Sequence, residues 1–404
     1  MNILYVTPYV PSRIRSRPYN LIQALIRLGH QITLLTAAGT SPEEQHQAAN
    51  LRDWGMRVEV FPVPLWRSLG NCLWALPTRE PLQAIYAYHP AMKQKLARLL
   101  REEAFDVVHI EHLRAARLVR AVNGVPKVYD SVDSISLLFD QAARTSSQLH
   151  SRLMTALDLA RTRRYEAWLL AQYDQVVISS RRDKLAMNEL ARRYLPPDEQ
   201  TAPITVVTNG VDLEYFCPQN DTGRRDRRTV VFTGKISYHA NVAAILYFAH
   251  EVLPRIWATD PEVRFQIVGK DPPETVQQLT TDRRIEVTGY VDDLRPYLAR
   301  ATVAICPVRY AVGVQFKVLE AMAMGTPVVT TPQTSTALLA RQDEHLLVGE
   351  SADDFASQVI RLLSDRELAI RIGAAGRRYV EEHHDWDRLA ARLEQVYQQA
   401  IDSP

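Results

Sequence analysis

The residues best suited to chemistry lie in one stretch, Gly313-Val314-Gln315-Phe316-Lys317-Val318-Leu319-Glu320-Ala321-Met322-Ala323-Met324-Gly325-Thr326-Pro327-Val328-Val329. Its pattern predicts a strand ending near Pro307, a loop holding Gly313, and a helix over about 316–324. Lys317 and Glu320, three residues apart, then occupy one helix face. A lysine in the first turn, beside the partial positive charge of the helix N-terminus, suits a phosphate. A carboxylate one turn deeper suits a pair of ribose hydroxyls. The plain alternative is a surface ion pair worth about 0.2–0.5 kcal/mol. The flanking glycine and the run of small residues leading into a buried strand favour the site.

Glycine placement points to the same half of the chain. Five glycines lie in residues 1–200 and ten in residues 201–404. Gly234, Gly269 and Gly289 each follow a strand-like run, where a backbone turns tightly or approaches a ligand closely. Such loops offer N–H groups to anions. Neither G-x-G-x-x-G nor G-x-x-x-x-G-K-[ST] occurs, which disfavours a nicotinamide dehydrogenase or a P-loop enzyme.

The elements that must position these residues alternate between β-branched runs and helical patterns. Strands are predicted at Ile3–Val6, Ile32–Leu35, Val58–Phe61, Val107–Ile110, Val128–Tyr129 and Val176–Ile178. The pattern restarts at Thr229–Phe232, Phe265–Val268, Ile285–Val287, Val303–Ile305 and Pro327–Val329. This alternation predicts βαβ crossovers and two doubly wound α/β domains, with ligands beyond the carboxyl ends of the strands, in a cleft between the domains. The expected division is 1–200 and 201–384, with a polar linker over 212–228 and a last helix, about 385–404, returning to the first domain.

Composition narrows the class. The 404 residues are 46% hydrophobic and 23% charged, ordinary for a globular chain and long enough for two cores. Cys72, Cys217 and Cys306 lack metal-like spacing and cannot build a disulfide framework, which suits a reducing compartment. No cationic, apolar leader opens the sequence. The uncharged run 321–340 carries Gly325, Pro327 and Pro332, so a buried strand–loop–helix unit is expected there rather than a membrane span. A cytoplasmic protein is the expectation. Residues 1–200 hold 26 basic against 19 acidic residues, while the rest hold 22 against 27. A basic first half suits an anionic partner such as a lipid phosphate, a membrane surface or an acidic glycan, or else is simply solvated. No motif accompanies it that would indicate nucleic acid. The arginine-rich helix expected over 151–172 suits either anionic lipid or a core-facing stripe with a basic outer face.

The run Lys317-Val318-Leu319-Glu320-Ala321-Met322-Ala323-Met324-Gly325-Thr326-Pro327-Val328-Val329 resembles the nucleotide-binding segment of family 4 glycosyltransferases, retaining enzymes of the GT-B fold. Thr208-Asn209-Gly210-Val211-Asp212 with Phe216 is similar to their N-G-V-D-x-x-x-F signature. Phe232-Thr233-Gly234-Lys235 resembles their phosphate loop, and Gly289-Tyr290-Val291-Asp292-Asp293 their turn near the nucleobase. The resemblance implies transfer of a sugar from a UDP- or GDP-sugar to a glycan or lipid-linked acceptor, with no metal or other cofactor required. Peripheral contact with the inner face of a membrane is the matching expectation, through the basic first half of the chain. Lys235 and Lys317 become candidates to neutralise charge growing on the leaving phosphate. Gly234, Gly289, Tyr290, Val291, Gly313, Val314 and Glu320 complete the expected donor site. Asp292-Asp293 and Asp353-Asp354 read as helix caps.

Departures from the family are informative. Val312 stands where a glutamate is common, so sugar contacts are expected from backbone near Gly313 and Val314. Ala240-Asn241 replaces a second basic position, and Lys317 is expected to supply the missing charge. The loop Pro8–Arg17 replaces the family's glycines. Arg17 is its preferred member for gripping an acceptor phosphate or the donor's phosphates from the other side. The family's histidine near the acceptor has no clear counterpart. Asp133, His112, Asp130 and His109 are the substitutes, in that order, although the leaving phosphate itself can take the acceptor proton. Two rival readings share the donor site: a catalytically silent nucleotide-sugar-binding subunit, and an epimerase or hydrolase of the same fold.

Overall fold

The computed structural model describes the chain apart from Ile14, Thr40, 146–148, 219–225, Arg227, 310–313 and Pro404, and for 141–145 and 149–157 it describes the backbone alone. Two compact units emerge. One comprises Met1–Asn209 with Trp386–Pro404, the other Gly210–Asp385.

The first unit is built on β1 (Asn2–Thr7), β2 (Gln31–Ala38), β3 (Arg57–Pro62), β4 (Val107–Glu111), β5 (Lys127–Val132), β6 (Gln175–Ile178) and β7 (Ile204–Val206). They form one seven-stranded sheet in the order β3-β2-β1-β4-β5-β6-β7, every pair parallel. Ile3–Val6 and Val176–Ile178 are buried on both faces, as a sheet covered by helices on both sides requires. Strand order reverses between β1 and β4, so the loops after these two strands open a crevice. The closing helix, Trp386–Asp402, packs on this unit. It buries Trp386, Leu389, Leu393, Val396 and Tyr397, and Asp387 pairs with Arg27.

The second unit repeats the design with β8 (Thr229–Thr233), β9 (Arg264–Val268), β10 (Ile285–Gly289), β11 (Val303–Cys306), β12 (Val328–Thr330) and β13 (Leu347–Val348). The order is β10-β9-β8-β11-β12-β13, again all parallel, with the reversal between β8 and β11. The helix Phe316–Ala323 follows β11 and buries Val318, Leu319, Ala321, Met322 and Ala323. Burying Val318, Leu319 and Met322 contributes about 1.5–3 kcal/mol each. That apolar stripe sets the helix's rotation and turns Lys317 and Glu320 toward the strand ends.

Three sequence expectations shift. The first unit runs to Asn209 rather than residue 200, because Ile204–Val206 adds an edge strand to β6. Two short strands, β7 and β13, escape the pattern because three and two residues carry no periodicity. The polar stretch expected as a linker begins inside the second unit. Val211 donates to the His384 carbonyl and Phe216 joins the core. The uncharged run 321–340 divides into a helix end, β12 and the helix Pro332–Leu338. Among the described residues no helix is long and apolar enough to cross a membrane.

Candidate functional site

In the second unit the strand-end glycines form one seam. Gly234 has φ +140° and Gly269 φ +149°, backbone that disfavours any side chain. A Cβ on Gly269 would stand 1.7 Å from the Gly234 carbonyl oxygen, and one on Gly234 would stand 3.3 Å from Lys317 Cε. The turns after β8 and β9 are thus pressed together with Lys317 against them. The Gly234 N–H donates to Val268 O at 3.1 Å and the Gly269 N–H to Gly289 O at 3.2 Å, which joins all three glycines predicted to matter.

Lys317 Nζ donates to Asn241 Oδ1 at 2.7 Å and lies 4.8 Å from the centre of the Phe232 ring. Asn241 Nδ2 in turn donates to the Lys235 carbonyl at 2.7 Å. Asn241, read from the sequence only as a lost basic residue, is therefore the part that ties Lys317 to the β8 turn. Lys317 is half-buried, and burial holds its pKa below the usual lysine range, with Cys306 and Glu320 opposing. Glu320 is half-buried too. Burial lifts its carboxyl to about 7, with Lys317 opposing. Among the described residues no ion pair joins Lys317 to Glu320 and no hydrogen bond is made to the Glu320 carboxylate, so the plain surface-pair alternative is not what the fold builds. Lys235 presents an exposed side chain beside them.

Tyr290 is 71% exposed just past β10. Val291 is half-buried, and the turn is anchored at Asp293. Its carboxylate accepts from Arg295 N–H at 2.9 Å and from Tyr215 Oη at 3.2 Å, and it pairs with the Arg295 guanidinium at 2.8 Å, which lowers its pKa. Two sequence signatures, 208–216 and 289–293, thereby meet through Tyr215. Val314 buries its side chain in the core, leaving its backbone for any ligand. Gly313 and Val312 lie outside the described residues.

In the first unit the structure corrects two assignments. Arg17, expected to grip a phosphate, is only 4% exposed and uses all its donors internally. Nε and Nη2 bond Asp130, Nη1 bonds Thr208 O and Asn209 Oδ1, and Nη2 also bonds Val207 O, at 2.8–3.1 Å. Asp130, expected beside the acceptor, is fully buried as its counter-ion. A side chain this enclosed cannot meet a ligand, and residue types alone carry no sign of it because burial depends on the neighbouring strands. His109 is also fully buried, with Nδ1 2.9 Å from Tyr397 Oη and its ring stacked on Tyr5.

His112 and Asp133 stand differently. His112 has φ +68° at the end of β4, and its Nδ1 accepts from Arg114 N–H at 3.2 Å. Burial, then Arg114, pushes its pKa down to about 3, so the imidazole is neutral. Asp133 follows Val132, a β-branched residue at φ +64°, where strain is real and tends to gather at working sites. The half-buried Asp133 accepts from Ser179 Oγ at 2.9 Å, and burial, then Asp183, raises its pKa to about 7. Of the four acid–base candidates it alone combines accessibility with a near-neutral pKa.

Sequence reading missed Glu111, which accepts from Tyr5 and Tyr9 hydroxyls at 2.8 and 3.0 Å and has its pKa raised to about 8 by burial and Asp130. Its only signal was an acid closing a strand of valine, isoleucine and one histidine. His109, Glu111 and Asp130 bring ligand atoms within 4.8 Å of one another. The guanidinium of Arg17 already serves as the cation there, and the tyrosine hydroxyls occupy Glu111, so the donor set fits an arginine better than a divalent ion.

A pair of parallel doubly wound units, with a glycine seam and a lysine–carboxylate helix at the switch point of the second, defines the GT-B class of fold. Residues 14–210 match the Glycosyl transferase 4-like domain family, and residues 227–365 match Glycosyl transferases group 1. The chain is 26% identical to the phosphatidyl-myo-inositol mannosyltransferase of Mycolicibacterium smegmatis, over 98% of this chain and 94% of that one. It is 35% identical to a GDP-mannose-dependent alpha-(1-6)-phosphatidylinositol monomannoside mannosyltransferase of Mycobacterium tuberculosis, over 50% of this chain and 54% of that one. In three dimensions it resembles Anabaena HepE in complex with UDP-glucose, with a TM-score of 0.65, 13% identity and 98% of both chains covered. The chain belongs to the family 4-like GT-B glycosyltransferases, and it is a transferase.

Proposed function

We propose that this enzyme moves a sugar, with retention of anomeric configuration, from a UDP- or GDP-sugar bound by residues 210–385 to a lipid-linked or polysaccharide acceptor presented by residues 1–209. The observation that carries this reading is Lys317 held by Asn241 against the Gly234 turn, one helical turn from a Glu320 carboxylate without a hydrogen-bonding partner among the described residues. The relatives' names favour mannose from GDP-mannose and an inositol phospholipid as the first pair to test.

In this scheme the acceptor hydroxyl oxygen bonds to the anomeric carbon as the bond from that carbon to the β-phosphate oxygen breaks. Lys317, with Lys235, balances the charge growing on that phosphate. One such preorganised donor is worth about 2.7–4 kcal/mol, or about 10²–10³ in rate. Glu320 as a carboxylate accepts the ribose hydroxyls, and Tyr290 and Val291 border the base. The acceptor proton passes to the leaving phosphate or to Asp133. Metal independence, a cytoplasmic location and peripheral contact with an anionic membrane belong to the same proposal.

A thermal-shift panel of UDP- and GDP-sugars tests it, read on wild type and Glu320→Ala. One nucleotide class is expected to stabilise the wild type and to lose most of that effect in the variant. Equal stabilisation of both proteins overturns the assignment of Glu320. Product with inverted anomeric configuration overturns retention.

A further inference from the structure

The helix Leu65–Ala75 is amphipathic in the wrong sense for a soluble surface. Facing the protein are Ser68 and Ala75, both buried, and Asn71, whose Nδ2 donates to the carbonyls of Ile85, Tyr86 and Tyr88 at 3.2, 3.5 and 2.9 Å. Facing outward are Leu65, Trp66, Leu69, Leu73 and Trp74, 55–69% exposed, with Leu76 half exposed beyond the end. Small and polar residues thus hold the helix in place, while its large apolar side chains are left uncovered. A contiguous patch of this kind marks an interaction surface.

Charge says what kind of surface it meets. No aspartate or glutamate occurs between Glu59 and Glu80, while Arg67 and Arg79 flank the patch. The Arg67 guanidinium lies 5.3 Å from the Trp66 ring centre and that of Arg117 lies 5.1 Å from Trp74. Glu80, the nearest acid along the chain, is neutralised by Arg117 and Arg120 at 2.7 and 2.8 Å. Tryptophans beside arginines, over a leucine stripe, match the layered polarity of a bilayer interface. The arginine-rich helix Leu149–Leu170 is the weaker seat. Leu159, Tyr165, Leu169 and Leu170 face the core, and Arg163 is paired with Asp140.

We propose that the Leu65–Ala75 helix is a membrane-docking element, lying in the headgroup region of an anionic phospholipid bilayer with its leucines and tryptophans inserted. The proposal rests on the membrane-acceptor reading for its purpose and gives that reading a location. Full-length protein is floated with vesicles of phosphatidylglycerol and phosphatidylcholine, and with phosphatidylcholine alone. Wild type is expected to float with the anionic vesicles. Trp66→Ser with Trp74→Ser, and separately Leu69→Ser with Leu73→Ser, are expected to lower the bound fraction about tenfold or more. These side chains are exposed, so thermal midpoints and donor-induced stabilisation should stay at wild-type values.

Variants that fold and float like wild type overturn the proposal, as does a wild type that is dimeric by sedimentation and becomes monomeric in the variants. Binding that persists in the variants but vanishes in high salt also overturns it, moving the contact to another basic surface. The two readings fail separately. A wild type that floats without gaining stability from any nucleotide sugar supports docking and counts against the donor site. One stabilised by donor yet absent from the vesicle layer overturns docking alone.

Discussion

On the helix after β11, whose Lys317 packs against the β8 turn, Lys317 and Glu320 are half-buried, and Glu320 keeps a carboxylate with no hydrogen-bonding partner among the described residues. Around β4 and β5, Arg17, His109, Glu111 and Asp130 are buried, with Arg17 bonded to Asp130, Glu111 to the Tyr5 and Tyr9 hydroxyls and His109 to Tyr397. Both sets sit where a doubly wound sheet places its ligands, and both contain charges of opposite sign. The difference lies in how their hydrogen-bonding capacity is used. A cation whose donors are all satisfied by the protein stabilises the fold, whereas a carboxylate without a partner can still be offered to a ligand. Location at a switch point therefore nominates residues, and exposure together with unspent donors and acceptors separates those that bind from those that brace.

Substitutions can break this contrast. The largest effect is expected from Arg17→Met, which leaves Asp130 buried without its counter-ion. Such losses cost about 3–5 kcal/mol, measurable by denaturant unfolding, and retention of wild-type stability would return Arg17 to the list of ligand-binding residues. Lys317→Met is expected to do the reverse, lowering kcat/KM about 10²–10³-fold while the unfolding midpoint holds or rises, because a half-buried cation has been removed. If Lys317→Met unfolds the protein as Arg17→Met does, the two regions are not different in kind.

Asn241→Ala sharpens the comparison within the donor site. A hydrogen bond to a charged group is worth about 1.5–3 kcal/mol, so kcat/KM should fall by tenfold or more. Asn241 acts through Lys317, so the loss should reside mainly in kcat, and a change confined to KM would count against a positioning role. The smallest effect is a pH dependence at Glu320, whose pKa of about 7 exceeds the ordinary carboxyl value. The folded protein binds this proton more tightly than the unfolded chain. Glu320 therefore takes stability away as pH rises from the ordinary carboxyl range through about 7. Donor binding that needs the carboxylate should weaken below that pH, by up to about tenfold per unit. Glu320→Gln should remove both dependences and raise the thermal midpoint at pH above about 7. A variant with an unchanged pH profile would show that Glu320 titrates elsewhere.

Much of the donor half was legible. Its strands are short β-branched runs, its glycines stand at positive φ after those strands, and the Lys317–Glu320 spacing names a helix face whatever lies around it. The acceptor half was less so. Arg17 and Asp130 were nominated by where they stand against the family's pattern, in the loop that replaces its glycines and in place of its acceptor histidine, and only the packing of the first helix, β5 and the 207–209 segment encloses them. Asn241 was passed over because an amide in a helix carries no signal until Lys317 is seen 2.7 Å away. The Leu65–Ala75 helix drew no reading from the sequence, and only the fold shows Asn71 turned inward and the leucines and tryptophans left outside.

The sequence by itself determined the α/β alternation, the two-unit design and the chemistry of the donor segment, because periodicity, glycine placement and i, i+3 spacing are local properties of the chain. Tertiary structure alone decided which charged groups are spent and which are free. Desolvation and hydrogen bonding depend on atoms brought together from distant parts of the sequence, as when Tyr397 meets His109 and Asn209 meets Arg17.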